Sequence, residues 1–296
     1  MSWKKWLIYR IDGIRKTEGE GKSNFPGVIK QMRMCSIASG SSGNCIYVGS
    51  DTTHLLIDVG ISGKRTESGL ESLGISGRDL DGILITHEHA DHISGLGVLA
   101  RKYEVPLYAT KGTIEAIRQM NNMGSVDEEL WVEVQEDQRF TIKDLTVNPM
   151  RISHDAAQPV GYRIGYGSQK VAVCTDLGVY NDYTVECLKG LDAILIEANH
   201  DVNMLQVGPY PYYLKQRILG NRGHLSNENS GRLLSRILHD RLKYISLGHL
   251  SKENNLPELA YEAVRMEITL GDNPYKAEDF QIQVASRSEV SPVMEI

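Results

Sequence analysis

The chain has 296 residues, of which 41% are hydrophobic and 24% charged, and a net charge of −6. That balance suits a globular protein with a sizeable core and argues against a disordered chain or a general polyanion binder. No stretch approaches the ~20 uninterrupted apolar residues of a membrane span, and Arg10 and Asp12 interrupt the run Trp6-Leu7-Ile8-Tyr9 before a secretory core could form. The four cysteines, Cys35, Cys45, Cys174 and Cys187, show no CxxC spacing. A chain this long needs no disulfides, so reduced thiols in a cytoplasmic protein are expected.

Residues 1–31 contain Gly13, Gly19, Gly21 and Gly27 and no clear periodicity. They read as a poorly structured segment or a mis-called start, an extra helix being the other reading, and residues 32–296 as one domain. Strands are expected at Cys35 to Ala38, Cys45 to Val48 and His54 to Asp58, an antiparallel meander turning at Ser39-Gly40-Ser41-Ser42-Gly43-Asn44. A helix follows over Thr66 to Leu73. Ile83-Leu84-Ile85 is a short continuous apolar run, as a strand buried on both faces requires. After it come a helix over Ile93 to Lys102, a strand over Leu107 to Ala109 and a helix over Thr113 to Met120. The second half offers strands at Leu145 to Ile152, Gly161 to Gly165, Val171 to Thr175, Ala193 to Ile196 and Ile245 to Leu247. Its helices are expected at Tyr212 to Leu219, Asn229 to Leu242 and Leu256 to Leu270. Strands followed by helices in both halves predict two packed sheets with helices outside, a four-layer αββα sandwich of the α/β class.

Thr86-His87-Glu88-His89-Ala90-Asp91-His92 stands where a buried strand ends and a helix begins. Three imidazoles and a carboxylate so close together are costly to pack unless a cation organises them. In an extended segment His87 and His89 point to the same side and can share one metal, while Asp91 and His92 can reach a second beside it. The segment fills only part of two coordination spheres. Further candidates stand at the ends of apolar strands, namely His154, Asp176 in Cys174-Thr175-Asp176, and His249 in Leu247-Gly248-His249-Leu250-Ser251. Two cations about 3.5–4 Å apart can lower the pKa of a shared water toward neutrality and clamp a phosphoryl oxygen. This gives a hydroxide nucleophile, which Asp91 could also orient.

These residues resemble the metallo-β-lactamase superfamily, in which HxHxDH, a later His, a bridging Asp and a late His form a dinuclear site. The resemblance runs from about Met34 to Asn255. It implies that His87, His89 and His154 hold one metal, that Asp91, His92 and His249 hold the other, and that Asp176 bridges them, with two divalent ions (Zn2+ or Mn2+) per chain. A bridging Asp in place of a Cys suits phosphoesters or thioesters. Glu197-Ala198-Asn199-His200 and Gly223-His224-Leu225-Ser226 are similar to segments of tRNA 3′-end processing nucleases, which implies a Glu197–His224 pair beside the metals with His224 as proton donor. The Ser39 to Asn44 turn, Gly208-Pro209-Tyr210-Pro211-Tyr212-Tyr213-Leu214-Lys215 and His249-Leu250-Ser251-Lys252-Glu253-Asn254-Asn255 look like the YycJ/WalJ-like exonuclease branch. Its members are taken as single-domain DNA exonucleases acting from the 5′ end. The stretch from Asp176 to His249 leaves no room for the nucleic-acid-clamping insertion of the β-CASP nucleases. The implied function is a dinuclear-metal phosphodiesterase, acting 5′ to 3′ on DNA rather than RNA. A thioesterase or other small-ester hydrolase is the alternative, and a non-catalytic binding module is disfavoured.

From Lys215 to Lys243 there are seven basic residues against two acidic ones, and they surround His224, a candidate nucleic-acid surface. Lys215, Arg217, Arg222 and Lys252, with Ser41 and Asn44, are the candidate substrate contacts. Backbone amides near Ser226 and Asn227 would add a phosphate site at a helix start. Gly40 to Asn44 is either another such loop or a plain hairpin turn. His54 reads as an ordinary partly buried histidine and His239 as a surface one, while His200 is left open between lining the cleft and not. Tyr210, Tyr212 and Tyr213 either stack on bases or pack over the site entrance.

Overall fold

The computed structural model describes residues 31–120 and 123–296. The expectation for the N-terminal segment lies outside them, apart from Gln31. The chain first lays down β1 (Arg33–Ala38), β2 (Cys45–Gly49) and β3 (His54–Ile57) as an antiparallel meander, then adds β4 (Gly82–Leu84), β5 (Leu107–Thr110) and β6 (Trp131–Val134) in parallel. The second sheet repeats the plan. There β7 (Phe140–Ile142), β8 (Leu145–Arg151), β9 (Val160–Tyr166) and β10 (Gln169–Cys174) pair antiparallel, and β11 (Ala193–Glu197), β12 (Tyr244–Gly248) and β13 (Gln281–Val284) follow in parallel. The terminal β14 (Met294–Glu295) returns to pair with β1.

Parallel neighbours need crossovers, and these are helical. In the first half they are α1 (Gly63–Ser72), α2 (Ala90–Ile93), α3 (Leu96–Tyr103) and α4 (Lys111–Arg118). In the second they are α5 (Asp182–Leu188), α6 (Val202–Val207), α7 (Tyr212–Leu219), α8 (Asn227–Ser235) and α9 (Pro257–Leu270).

The continuous apolar runs are explained by two-residue alternation between separate cores. In β2 to β4, Ile46, Val48, Leu55, Ile57 and Leu84 face the second sheet, where they meet Val171, Val173, Ala193 and Leu195. Their neighbours Tyr47, Leu56 and Ile83 turn outward to Leu70, Leu99 and Ile117 of α1, α3 and α4. Likewise Ala172, Cys174, Ile194 and Ile196 turn to Val185, Leu233, Leu234 and Val264 of α5, α8 and α9. The layers are therefore helix, sheet, sheet, helix, the α/β sandwich expected of the sequence.

Two helices differ from expectation for identifiable reasons. The helix over Ile93 to Lys102 is divided at Gly95, whose amide donates to the Val59 carbonyl at 2.8 Å and where a Cβ would lie 2.1 Å from the Ile61 carbonyl oxygen. The helix from Asn229 stops at Ser235, because Ile237 and Leu242 turn into the core. His239 consequently lies in the turn beyond α8, half-buried, with Nδ1 accepting from the Arg241 amide, and not on a helix surface.

Candidate metal centre

The chemistry-bearing side chains stand at strand ends along one rim of the two sheets. Asp58 follows β3, His87 and His89 follow β4, and Asp91 and His92 lie in α2. His154 follows β8, Asp176 follows β10, Glu197 ends β11, His224 precedes α8 and His249 follows β12. Asp58, Asp176 and His249 adopt φ of 60°, 59° and 55°. This left-handed conformation costs a residue with a Cβ on the order of 1 kcal/mol, although Asp and His adopt it more readily than most. Here it turns the chain sharply out of the strand.

The structure brings all seven expected donors together. His87, His89 and His154 form one group that could hold a metal ion, and Asp91, His92 and His249 form another. Within the first, His154 Nε2 lies 3.2 Å from His89 Nδ1. Within the second, His249 Nε2 and His92 Nε2 lie 3.2 Å and 3.4 Å from Asp91 Oδ2. Asp176 sits between the groups, with Oδ2 3.2 Å from His92 Nε2 and Oδ1 3.5 Å from His249 Nε2 and 3.6 Å from His154 Nε2. His87 Nε2 is enclosed without a hydrogen-bond partner, and Asp176 Oδ2 meets His92 without hydrogen-bond geometry. Enclosed nitrogen and oxygen atoms at these spacings are what a shared divalent ion satisfies, so the residues fit a metal.

Burial pushes the His87 imidazole well below its usual pKa and lowers that of His154. On the other side burial also opposes charge, but Asp176, Asp91 and Asp58 hold His92 well above its usual value, and Asp176 with Asp91 and Glu197 holds His249 up to about 10. Burial likewise opposes the charge on Asp176 and Asp91, yet the surrounding His249 and His92 keep both carboxyls well below the usual range. The pocket therefore favours positive charge in the Asp91, His92 and His249 group.

Two buried carboxylates hold the imidazoles in place. Asp58 accepts from the Thr86 amide and hydroxyl, both at 2.8 Å, and lies 2.7 Å from His92 Nδ1. That arrangement fixes which ring nitrogen of His92 is left for a ligand. Sequence reasoning passed over Asp58 as the end of a strand. The signal was an acid closing the apolar His54-Leu55-Leu56-Ile57, as Asp176 closes its own strand. Glu197 Oε1 meets both His224 Nδ1 at 2.8 Å and His249 Nδ1 at 2.7 Å, while Oε2 accepts from the Leu177 and Leu225 amides. Fully buried, it is nonetheless held down to about 2, the His224 and His249 contacts outweighing burial. The expected Glu197–His224 pair thus exists, and it extends to His249.

The expected substrate contacts divide. Asn44 is fully buried with its amide spent on Gly40, Ser39 and Asp91, so it shapes the loop and offers nothing to a ligand. Ser41 and Lys252 are exposed. Arg217 pairs with Asp155, which lies 3.5 Å from His154 Nε2, and Lys215 donates to the Gln206 carbonyl. Arg222 donates to the carbonyls of His154 and Ala156, while Arg232 and Arg236 are paired with Glu267 and Asp182. The Asn227 amide already donates to the His200 carbonyl and is closed to a phosphate. His200 is buried and its pKa falls to about 4 through burial, so its ring lies behind the His224 loop, not on an open wall. His54 is half-buried against the Tyr47 hydroxyl. Tyr212 and Tyr213 are exposed on α7 and Tyr210 is half-buried.

Paired sheets carrying this ring of donors define a class of hydrolase fold, and the chain belongs to the metallo-β-lactamase superfamily: the model described as the beta-lactamase superfamily domain matches residues 53–245. Within the superfamily it falls in the YycJ/WalJ-like branch. It is 42% identical over 228 residues to exodeoxyribonuclease YycJ of Bacillus anthracis, covering 77% of this chain and 86% of that one. It is 41% identical over 260 residues to exodeoxyribonuclease WalJ of Streptococcus pneumoniae, covering 88% and 96%. Among solved structures, the metallo-beta-lactamase fold protein YhfI of Bacillus subtilis superposes with a TM-score of 0.64 at 18% identity, over 90% of this chain and 100% of that one. The short form of human tRNase Z gives 0.58 at 15% identity, over 88% and 98%. At these identities the structural likeness is one of fold alone.

Proposed function

We propose that the protein is a divalent-metal-dependent exodeoxyribonuclease, formed by residues 32–296, that hydrolyses DNA from its 5′ end in the cytoplasm. The reading is carried by one observation: two metal-competent donor groups meet around Asp176 in a single pocket flanked by the Glu197–His224 pair. Identity over most of their length with two proteins named exodeoxyribonucleases supports DNA as the substrate. His87, His89 and His154 would hold one ion and Asp91, His92 and His249 a second, with Asp176 between them. A donor set of imidazole and carboxylate without thiolate suits Zn2+ or Mn2+.

Divalent ions bound there supply an acidified water and neutralise charge on the phosphoryl oxygens. The chain's own groups do the rest. Asp91, partly open to solvent, accepts a hydrogen bond from the attacking water and aims it. Glu197 holds His224 by Nδ1, which leaves Nε2 to give a proton to the departing 3′-oxygen. Lys215, Arg217 and Lys252 meet backbone phosphates, and Ser41 offers a hydroxyl at the glycine-rich turn.

The test is degradation of end-labelled single- and double-stranded DNA and RNA by metal-loaded protein, beside a panel of thioesters. Early release of labelled nucleotide from 5′-labelled DNA, with a ladder from 3′-labelled DNA, is expected. Thioester turnover without DNA cleavage would overturn the reading.

A further inference from the structure

We propose that Ser39 and Asn44 form a positioning strap that sets the Asp91, His92 and His249 donor group and leaves the His87, His89 and His154 group alone; the role rests on the metal reading above. Asn44 Oδ1 accepts from the Ser39 hydroxyl at 3.1 Å and the Gly40 amide at 3.0 Å. Its Nδ2 donates to the Gly40 carbonyl at 3.1 Å and the Asp91 carbonyl at 3.4 Å, and lies 3.3 Å from His92 Nε2. The Asn44 backbone amide donates to the same Asp91 carbonyl at 2.8 Å. At the other end the His249 amide donates to Ser39 Oγ at 2.9 Å. Both side chains are fully buried.

Asp91 and His92 follow a strand of the first sheet and His249 one of the second, so the path Asp91, Asn44, Ser39, His249 crosses from one sheet's rim to the other's. Glycines on either side show how tightly the strap is seated. A Cβ at Gly60 would fall 1.6 Å from the Asp91 carbonyl oxygen, and one at Gly248 2.7 Å from Ser39 Oγ. His249 adopts a left-handed backbone, so the direction of its ring depends on how its amide is anchored, and Ser39 supplies that anchor. The other donor group is oriented by different partners. The Thr86 hydroxyl lies 3.0 Å from His87 Nδ1, and the Gly223 carbonyl 3.2 Å from His154 Nδ1. Loss of the strap therefore frees the separation of Asp91 Oδ2 and His249 Nε2, 3.2 Å in the intact chain, without touching the first group.

The strap is tested by titrating the metal-free full-length chain with Co2+, following visible absorption in competition with a chelator. Wild-type protein is expected to take up two ions in resolved steps. Ser39→Ala should keep one step at wild-type affinity and weaken the other by roughly 10- to 100-fold, the usual effect of removing a partner behind a ligand, with an altered spectrum for the weakened ion only. Asn44→Ala should act in the same direction. Its circular dichroism reports whether it folds, and if it does not, Ser39→Ala carries the test alone. Equal weakening of both steps, or no weakening in Ser39→Ala, overturns the strap. A wild-type chain that binds a single ion overturns the metal reading on which it rests.

Discussion

Replacing His224 with alanine should slow hydrolysis of a natural phosphodiester by roughly 10²- to 10⁴-fold, the range a positioned proton contributes, while both metals stay bound. At about 1.4 kcal/mol per decade this is about 3–5 kcal/mol of transition-state stabilisation. The structure indicates why the rest of the site should survive. Glu197 Oε1 keeps His249 Nδ1 at 2.7 Å, and Oε2 keeps the Leu177 and Leu225 amides. No buried carboxylate is orphaned, and the fold loses one charge-assisted hydrogen bond, about 1.5–3 kcal/mol. The assay compares kcat on DNA with kcat on a nitrophenyl phosphodiester, whose leaving group needs no proton, with metal content measured on the same samples. A large loss on DNA and a small one on the activated ester is expected. Equal losses with full metal occupancy would refute proton donation and leave phosphate binding as the role. Loss of a metal would mean that His224, and not His249, is the late ligand.

Asp176→Ala removes the carboxylate that faces both donor groups, and elemental analysis should then find fewer than two ions per chain; unchanged occupancy would refute the bridging role. Lys215→Ala with Arg217→Ala should weaken DNA binding alike for all sequences and lower the slope of log K against log salt by roughly one per contact, whereas an unchanged slope takes them off the substrate path. Arg222→Ala should instead lower the melting temperature by about 2–4 °C, because its guanidinium holds the loop at His154 and Ala156. Burial raises the thiols of Cys35 (to about 11), Cys45 and Cys174. In the native protein Cys187, the half-buried one, should therefore react first with a thiol reagent at pH 8, and rapid reaction of all four would contradict the burial.

Much of the site was legible in the sequence because its chemistry is improbable otherwise: imidazoles clustered after an apolar run need a cation, and polar residues ending apolar strands were the natural places to seek the remaining donors. The cores were legible for the same local reason, since alternation in Cys45-Ile46-Tyr47-Val48 survives into the packed structure. What escaped depended on partners distant in sequence. Asn44 looked like a loop residue facing solvent, yet its contacts reach Asp91, and Ser39 beside it reaches His249. The basic run from Lys215 looked like free charge, yet Arg217, Arg232 and Arg236 are answered by Asp155, Glu267 and Asp182. Elements such as β7, β13 and α6 went unread because each is short and presents little apolar pattern.

The left-handed backbone at Asp176 bears on how this protein could lose its activity. A glycine there would relax the main chain and remove a carboxylate from a buried site, while His92 and His249 could discharge by giving up protons. The nearby core would be undisturbed, since Asp176 packs against imidazoles and not against the apolar layers. Asp to Gly is a single-nucleotide change. A stable and correctly folded but inert version of this chain is thus one mutational step away, and selection acting on folding or abundance alone would not remove it. At this position retention of the acid must be enforced by function, against the preference of the backbone that carries it.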